Sequence, residues 1–283
     1  MSHAPRDDQS SANRSSSSYD RRTFLLGASA VLLGACTDTE SDEETVVDAA
    51  PASTALEPAD GAVDGGQDAG PEAAGLESLT PAMFEALPIC ALTPSAGAGP
   101  FPSRQLLDRR VIHEEYPGHP LRLGIRVVDA DCQPVPGAVV DIWHTDATGD
   151  YSDFEDGGDG KDEGPGTTFC RGAQTADERG ILEFETIYPG WYPARAIHIH
   201  AAVQVGGDDV LTTQLYFDEA YTETVLAEGE YAQFGPPLRT WSNDPVLGDT
   251  DPATDGTAIA LTPGMTGIGE GTVGLINLGI DQA

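Results

Sequence analysis

Ala196-Ile197-His198-Ile199-His200-Ala201-Ala202-Val203 alternates with a two-residue period. Successive strand side chains point to opposite faces, so His198 and His200 share one face and Ile197 and Ile199 the other. Working outward, residues 181–187 and 211–217 are apolar, β-branched runs of strand length. Residues 121–129, 138–144 and 272–278 read the same way, with Asp129-Ala130-Asp131 and Pro134-Val135-Pro136-Gly137 marking turns. Only residues 218–228 have a helical texture. There is no alternating β/α pattern, no G-x-G-x-x-G and no P-loop. Turn-bounded strands of this kind predict an all-β domain, an antiparallel β-sandwich with one short helix.

Two imidazoles side by side on a strand are a natural half of a metal site, though H-x-H alone reads equally as two unrelated histidines. The residues just before them, Tyr188-Pro189-Gly190-Trp191-Tyr192-Pro193-Ala194-Arg195, form a Pro/Gly-fixed loop that brings Tyr192 and Arg195 near the histidines. A second loop leaves the 138–144 strand as Thr145-Asp146-Ala147-Thr148-Gly149-Asp150 and presents Tyr151. A phenol stays neutral in water, but a trivalent cation stabilises its phenolate, a hard oxygen donor suited to Fe(III) rather than to Zn(II). His144 reads as a satisfied strand histidine, and His113 and His119 as surface residues.

In order, these pieces resemble the intradiol ring-cleavage dioxygenases, especially the protocatechuate 3,4-dioxygenase type. The matching elements are W-x-x-D-A-x-G-x-Y at Trp143 to Tyr151, P-G-x-Y-P at Pro189 to Pro193, and R-x-x-H-I-H at Arg195 to His200. Thr93-Pro94, Gly99-Pro100-Phe101, Phe169-Cys170-Arg171-Gly172 and Thr213-Gln214-Leu215-Tyr216-Phe217 add support, so the likeness covers roughly residues 90 to 280. It implies a β-sandwich holding Fe(III) through Tyr151 and His198 as equatorial ligands and Tyr192 and His200 as axial ones. It further implies that Arg195 stabilises charge on the substrate, with Gln214 beside it. The implied substrates are a catechol and O2, and the implied product is a muconate-type diacid.

The chain departs from that pattern in one place. Tyr192 and Arg195 are only three residues apart, so the loop that often shapes the substrate pocket is short. The acidic, Gly-rich stretch from Ser152 to Gly166 follows Tyr151. It reads first as a solvated loop, with a lid or a weak calcium loop through Asp153, Asp156 and Asp159 as alternatives. If it overhangs the pocket, neutral catechols are preferred to carboxylated ones.

The first 36 residues read as an export signal. Arg21-Arg22-Thr23-Phe24-Leu25 resembles a twin-arginine motif, and Leu33-Gly34-Ala35-Cys36 a lipobox. The apolar run between them is too short to span a bilayer. Residues 37–84 are an acidic linker that cannot bury enough surface to offset its chain entropy. Residues 85–283 are the globular domain. The expected location is therefore outside the cytoplasmic membrane, at its periplasmic or extracellular face, anchored by a lipid on Cys36. Of the other cysteines, Cys90 is expected to pair with Cys132, leaving Cys170 as a small buried residue.

With Lys161 as its sole lysine, the 283-residue chain carries a net charge of −33, which argues against nucleic-acid binding. Oligomeric state is not legible, and a homo-oligomer is compatible with the sequence. The rival reading is a non-catalytic β-sandwich lipoprotein that binds iron, a catecholate, carbohydrate or a protein partner.

Overall fold

The computed structural model describes residues 77–88, 91–102, 105–153 and 166–281. The expected signal, most of the linker, Cys90 and residues 154–165 of the acidic loop, with Asp156 and Asp159, lie outside them. Among the described residues there are eight strands: β1 (Pro120–Asp129), β2 (Val139–Trp143), β3 (Arg171–Thr175), β4 (Ile181–Ile187), β5 (His198–Val205), β6 (Asp208–Phe217), β7 (Ala258–Thr266) and β8 (Gly269–Ile280). They run in the order β3-β2-β5-β6-β7-β8-β1-β4. β6 and β7 meet through only two residue pairs, so the sheet divides there into two four-stranded leaves.

Each leaf buries one face. Leu121, Leu123 and Ile125 of β1 pack in one cluster with Val140 and Ile142 of β2 and with Ile199, Ala201 and Val203 of β5. A shared core of this kind is what the period-two pattern requires. The outer face of β1 carries Arg122, which is 5% exposed and paired with Glu183 at 2.5 Å.

The expectation of a fully antiparallel sheet is corrected at two seams. β1 and β8 pair in parallel over nine residue pairs, and the β6–β7 seam is parallel too. Alternation looks the same in either direction, and no hairpin joins strands so distant in sequence. The expected helix is present as α2 (Glu219–Leu226), capped by the Asp218 side chain, which accepts from the Tyr221 N–H. It is not alone: α1 (Pro81–Phe84), α3 (Pro252–Asp255) and two 3-10 turns accompany it. β3 and β7 had not been expected as strands. Cys132 is disulfide-bonded and Cys170 is a buried free thiol.

Candidate metal centre

The imidazoles of β5 stand on the face away from the core, as the alternation predicts. Opposite them in register are Trp143 of β2, paired with His200, and Tyr216 and Gln214 of β6, paired with His198 and His200. Trp143 stacks on His200 with ring centroids 5.0 Å apart and parallel planes. His198 and His200 are each 2% exposed.

Tyr151 is delivered by the turn that follows β2. The Asp146 carboxylate ties that turn together, accepting from the Thr148 N–H at 2.8 Å and the Asp150 N–H at 3.1 Å. Arg171 clamps its far side: Nε donates to Ser152 Oγ at 2.8 Å and Nη2 to the Ser152 carbonyl at 2.7 Å. Nη1 of the same arginine reaches the Phe101 carbonyl, and the Phe101 ring stacks on Tyr151 at 4.9 Å. The roof segment also brings Gly99 against His200, where an added Cβ would stand 3.1 Å from Cε1.

Tyr192 comes from the loop before β5, which packs tightly on the Tyr151 turn. A Cβ on Gly149, whose φ is +91°, would lie 2.2 Å from the Trp191 carbonyl oxygen. Gly149→Ala is therefore expected to lower stability by about 2–4 kcal/mol, from left-handed strain plus an immovable backbone clash. A shift in the denaturation midpoint at unchanged m-value checks this.

The four side chains close into a ring of contacts. Centroid distances are 5.8 Å for Tyr151–Tyr192, 6.0 Å for Tyr192–His198, 4.6 Å for His198–His200 and 6.1 Å for His200–Tyr151. The two Nε2 atoms face each other at 3.0 Å. Two ligands about 2.1 Å from one cation and at right angles to each other are also about 3.0 Å apart. His198 Nδ1 lies 2.7 Å from the Ala196 carbonyl; donating its proton there leaves Nε2 with a free lone pair. Burial drives the His198 pKa down to about 3, helped by Arg195, and drives His200 well below its usual value, helped by His198. Both rings are thus neutral, the form that ligates metals.

The phenols are perturbed in the opposite sense. Burial raises Tyr151 well above the ordinary phenol range, and the adjacent Tyr192 raises it further. Tyr192 is also raised by burial, against the pull of Arg195. Tyr151 Oη and His200 Nδ1 are buried without a hydrogen bond of ordinary geometry. The contact with Tyr192 leaves the Tyr151 hydroxyl only weakly paired, and a cation at the centre of the ring would satisfy it. Two hard phenol oxygens and two imidazoles fit a trivalent cation. Among the described residues, no group of three or more His, Cys, Asp or Glu side chains could hold a metal, so this mixed set is the candidate.

Arg195 stands beside Tyr192, 8% exposed. Nε donates to Asp244 Oδ2 at 2.9 Å, and Nη2 donates to Gln214 Oε1 at 2.5 Å and to the Tyr216 hydroxyl at 2.9 Å. Asp244 also accepts the Ala196 N–H at 2.6 Å and the Val246 N–H at 2.8 Å. Burial would raise the Asp244 carboxyl, but these bonds hold it below its usual value. Every residue singled out for the site is brought together here. Asp244, which holds Arg195, was missed, and Arg171, which holds the Tyr151 turn, stood in a supporting motif without a role.

The remaining histidines separate. His144 is fully buried and satisfied by the Thr145 carbonyl and Thr186 Oγ1. The surface reading of His113 and His119 is corrected: both are half-buried, and His119 Nε2 meets Thr272 Oγ1 at 2.8 Å.

A family model described as Dioxygenase matches residues 100–228. An intradiol ring-cleavage dioxygenase of Aspergillus niger is 31% identical over 131 residues, covering 40% of this chain and 38% of that protein. A chlorocatechol 1,2-dioxygenase of Rhodococcus opacus is 31% identical over 123 residues, covering 37% of this chain and 46% of that protein. The chain thus spans less than half the length of these curated relatives. A solved intradiol ring-cleavage dioxygenase from Tetranychus urticae superposes with a TM-score of 0.61 at 29% identity, over 68% of this chain and 95% of that one.

Proposed function

Because the chain belongs to the intradiol ring-cleavage dioxygenase family, we propose that it opens the ring of a catechol-type substrate with O2, using Fe(III) held by Tyr151, Tyr192, His198 and His200. The observation that carries this reading is the closed ring of two phenols and two imidazoles, with the Nε2 atoms 3.0 Å apart.

Fe(III) held by these four side chains would supply Lewis acidity toward a catechol. The side chains do the rest. Of the four ligands only Tyr192 is partly exposed, and Pro193 and Ala194 beside it are exposed. Its phenolate oxygen is therefore the one placed to take a substrate proton and turn outward, a general-base role. Arg195 offers a fixed positive charge to the electron density that builds on the substrate oxygens and ring. Gln214 and Tyr216 keep Nη2 in place, and Asp244 keeps Nε. The buried ligands exclude bulk water.

Two neutral phenols must release protons when the cation binds, whereas the imidazoles already lack theirs. Iron affinity is therefore expected to rise with pH, by about tenfold per unit for each phenol and about a hundredfold for both. Competition with a chelator of known affinity across neutral pH gives the slope, and a slope of zero would exclude phenolate ligation.

The direct test is visible absorption of the iron-loaded protein before and after anaerobic catechol, followed by product analysis in air. A phenolate-to-Fe(III) band that shifts with catechol, and a muconate-type diacid afterwards, support the reading. A band without product would favour the catecholate-binding alternative. A preference for neutral catechols depends on residues 154–165, outside the described set. Export and lipid anchoring through Cys36 belong to the same proposal, and an unmodified Cys36 in the mature protein's mass spectrum would refute the anchor.

A further inference from the structure

Behind the metal face lies a cavity of about 410 Å³. Ile197, Phe217, Leu226, Pro236, Pro237 and Trp241 supply its apolar lining. Ile197 and Phe217 belong to the core cluster, on the sheet face opposite His198 and Tyr216. The space is therefore distinct from the ring of ligands. None of the proposed chemistry uses it.

Its size and charge narrow the occupant. An apolar cavity of about 150 Å³ takes one benzene ring, so this one takes a molecule of two rings with room at the mouth. Glu219 and Glu223 stand exposed in its lining, and Arg239 is the one cation among its described lining residues. The chain as a whole carries −33. An anion is disfavoured on both counts, and a cation would leave water for apolar walls, because Glu219 and Glu223 are exposed and Glu219 already accepts the Trp241 N–H.

The walls are tied to the catalytic side. The Trp241 N–H donates to Glu219 Oε1 at 2.6 Å, and the Trp241 ring packs with Ala196, Tyr216 and Leu247. Three residues further on, Asp244 grips Arg195 and the Ala196 N–H. Trp191, next to Tyr192, donates from Nε1 to the Gly235 carbonyl at 3.0 Å. An occupant touching Trp241 thus bears on the segment that positions Arg195.

The geometry points to a second binding site, for an uncharged two-ring aromatic molecule, whose occupancy alters the setting of Arg195 through Trp241 and Asp244. Binding stands independently of the dioxygenase reading; the coupling to Arg195 rests on it. The test uses 6-propionyl-2-(dimethylamino)naphthalene, an uncharged two-ring dye whose emission shifts and brightens in apolar surroundings, on the full iron-loaded chain. Saturable one-to-one binding is expected. Ala227 and Ala232 both line the exposed mouth, so Ala227→Phe and Ala232→Phe fill the cavity at little risk to the core. Each is expected to weaken the probe by about tenfold or more at unchanged circular dichroism. Tyr151→Phe is expected to bind it as wild type does, which separates this site from the metal assignment. No saturable binding, equal binding by both filled variants, or competitive displacement by catechol would overturn the proposal. For the coupling, saturating probe should change catechol turnover by about twofold or more in the wild type and leave Ala232→Phe unaffected. An unchanged wild type would overturn the coupling.

Discussion

Tyr151→Phe is expected to fold as the wild type does, and to lose the iron band and ring cleavage together. The substitution removes a single atom, Oη, which has no hydrogen bond of ordinary geometry. The ring remains stacked on Phe101, and the Arg171 clamp on Ser152 is untouched. Stability should stay within about 1 kcal/mol of the wild type, because the hydroxyl that is lost pairs only weakly, with Tyr192. Iron binding should weaken by well over about a hundredfold, since that is the upper range for losing a group that merely supports a ligand. Iron stoichiometry, absorption and thermal midpoint on one preparation separate the effects. A variant with wild-type colour and turnover would remove Tyr151 from the ligand set.

Arg195→Ala is expected to keep its iron and lose turnover by about 10²–10³-fold, the range for removing one preorganised charge stabiliser. The loss should fall on kcat more than on KM, because the guanidinium serves charge that develops only during reaction. The fold should survive, because Asp244 retains the N–H groups of Ala196, Val246 and Leu247. Asp244→Asn makes the complementary test. It leaves Arg195 charged but loosens the grip on Nε, so it should cost turnover less than Arg195→Ala does. Added guanidine should partly restore Arg195→Ala and leave Asp244→Asn unmoved. An Arg195→Ala enzyme with wild-type kcat would take the arginine out of the chemistry.

Much of this site was legible in the sequence, because its pieces are local. A two-residue period places His198 and His200 on one face, and the loops bearing Tyr151 and Tyr192 lie directly against β2 and β5. What was missed acts at long range. Asp244 reaches Arg195 from forty-nine residues away, and nothing in Ser242-Asn243-Asp244-Pro245 marks it as buried. Arg171 sits in a short strand whose Gly-Ala-Gln core carries no β-branched signal. β7 was hidden by Pro263 and Gly264, which a strand tolerates where pairing on one side is incomplete. Strand direction cannot be read from alternation at all, which is why the parallel β1–β8 pairing came as a correction.

That pairing has a consequence for when the site comes into being. β1 is made long before β8, and its side of the leaf stays open until β8 arrives. β8 also pins the segment that roofs the ring of four side chains. The Thr93 N–H donates to the Gly279 carbonyl, and the Gly279 N–H donates to Thr93 Oγ1, each at 2.9 Å. From there the segment runs to Gly97, held by Gln214, and on to Gly99 above His200. Until β8 joins the fold, the imidazoles face an unroofed bowl. The ring of four side chains is thus roofed only in the finished fold, after synthesis has passed Gly279.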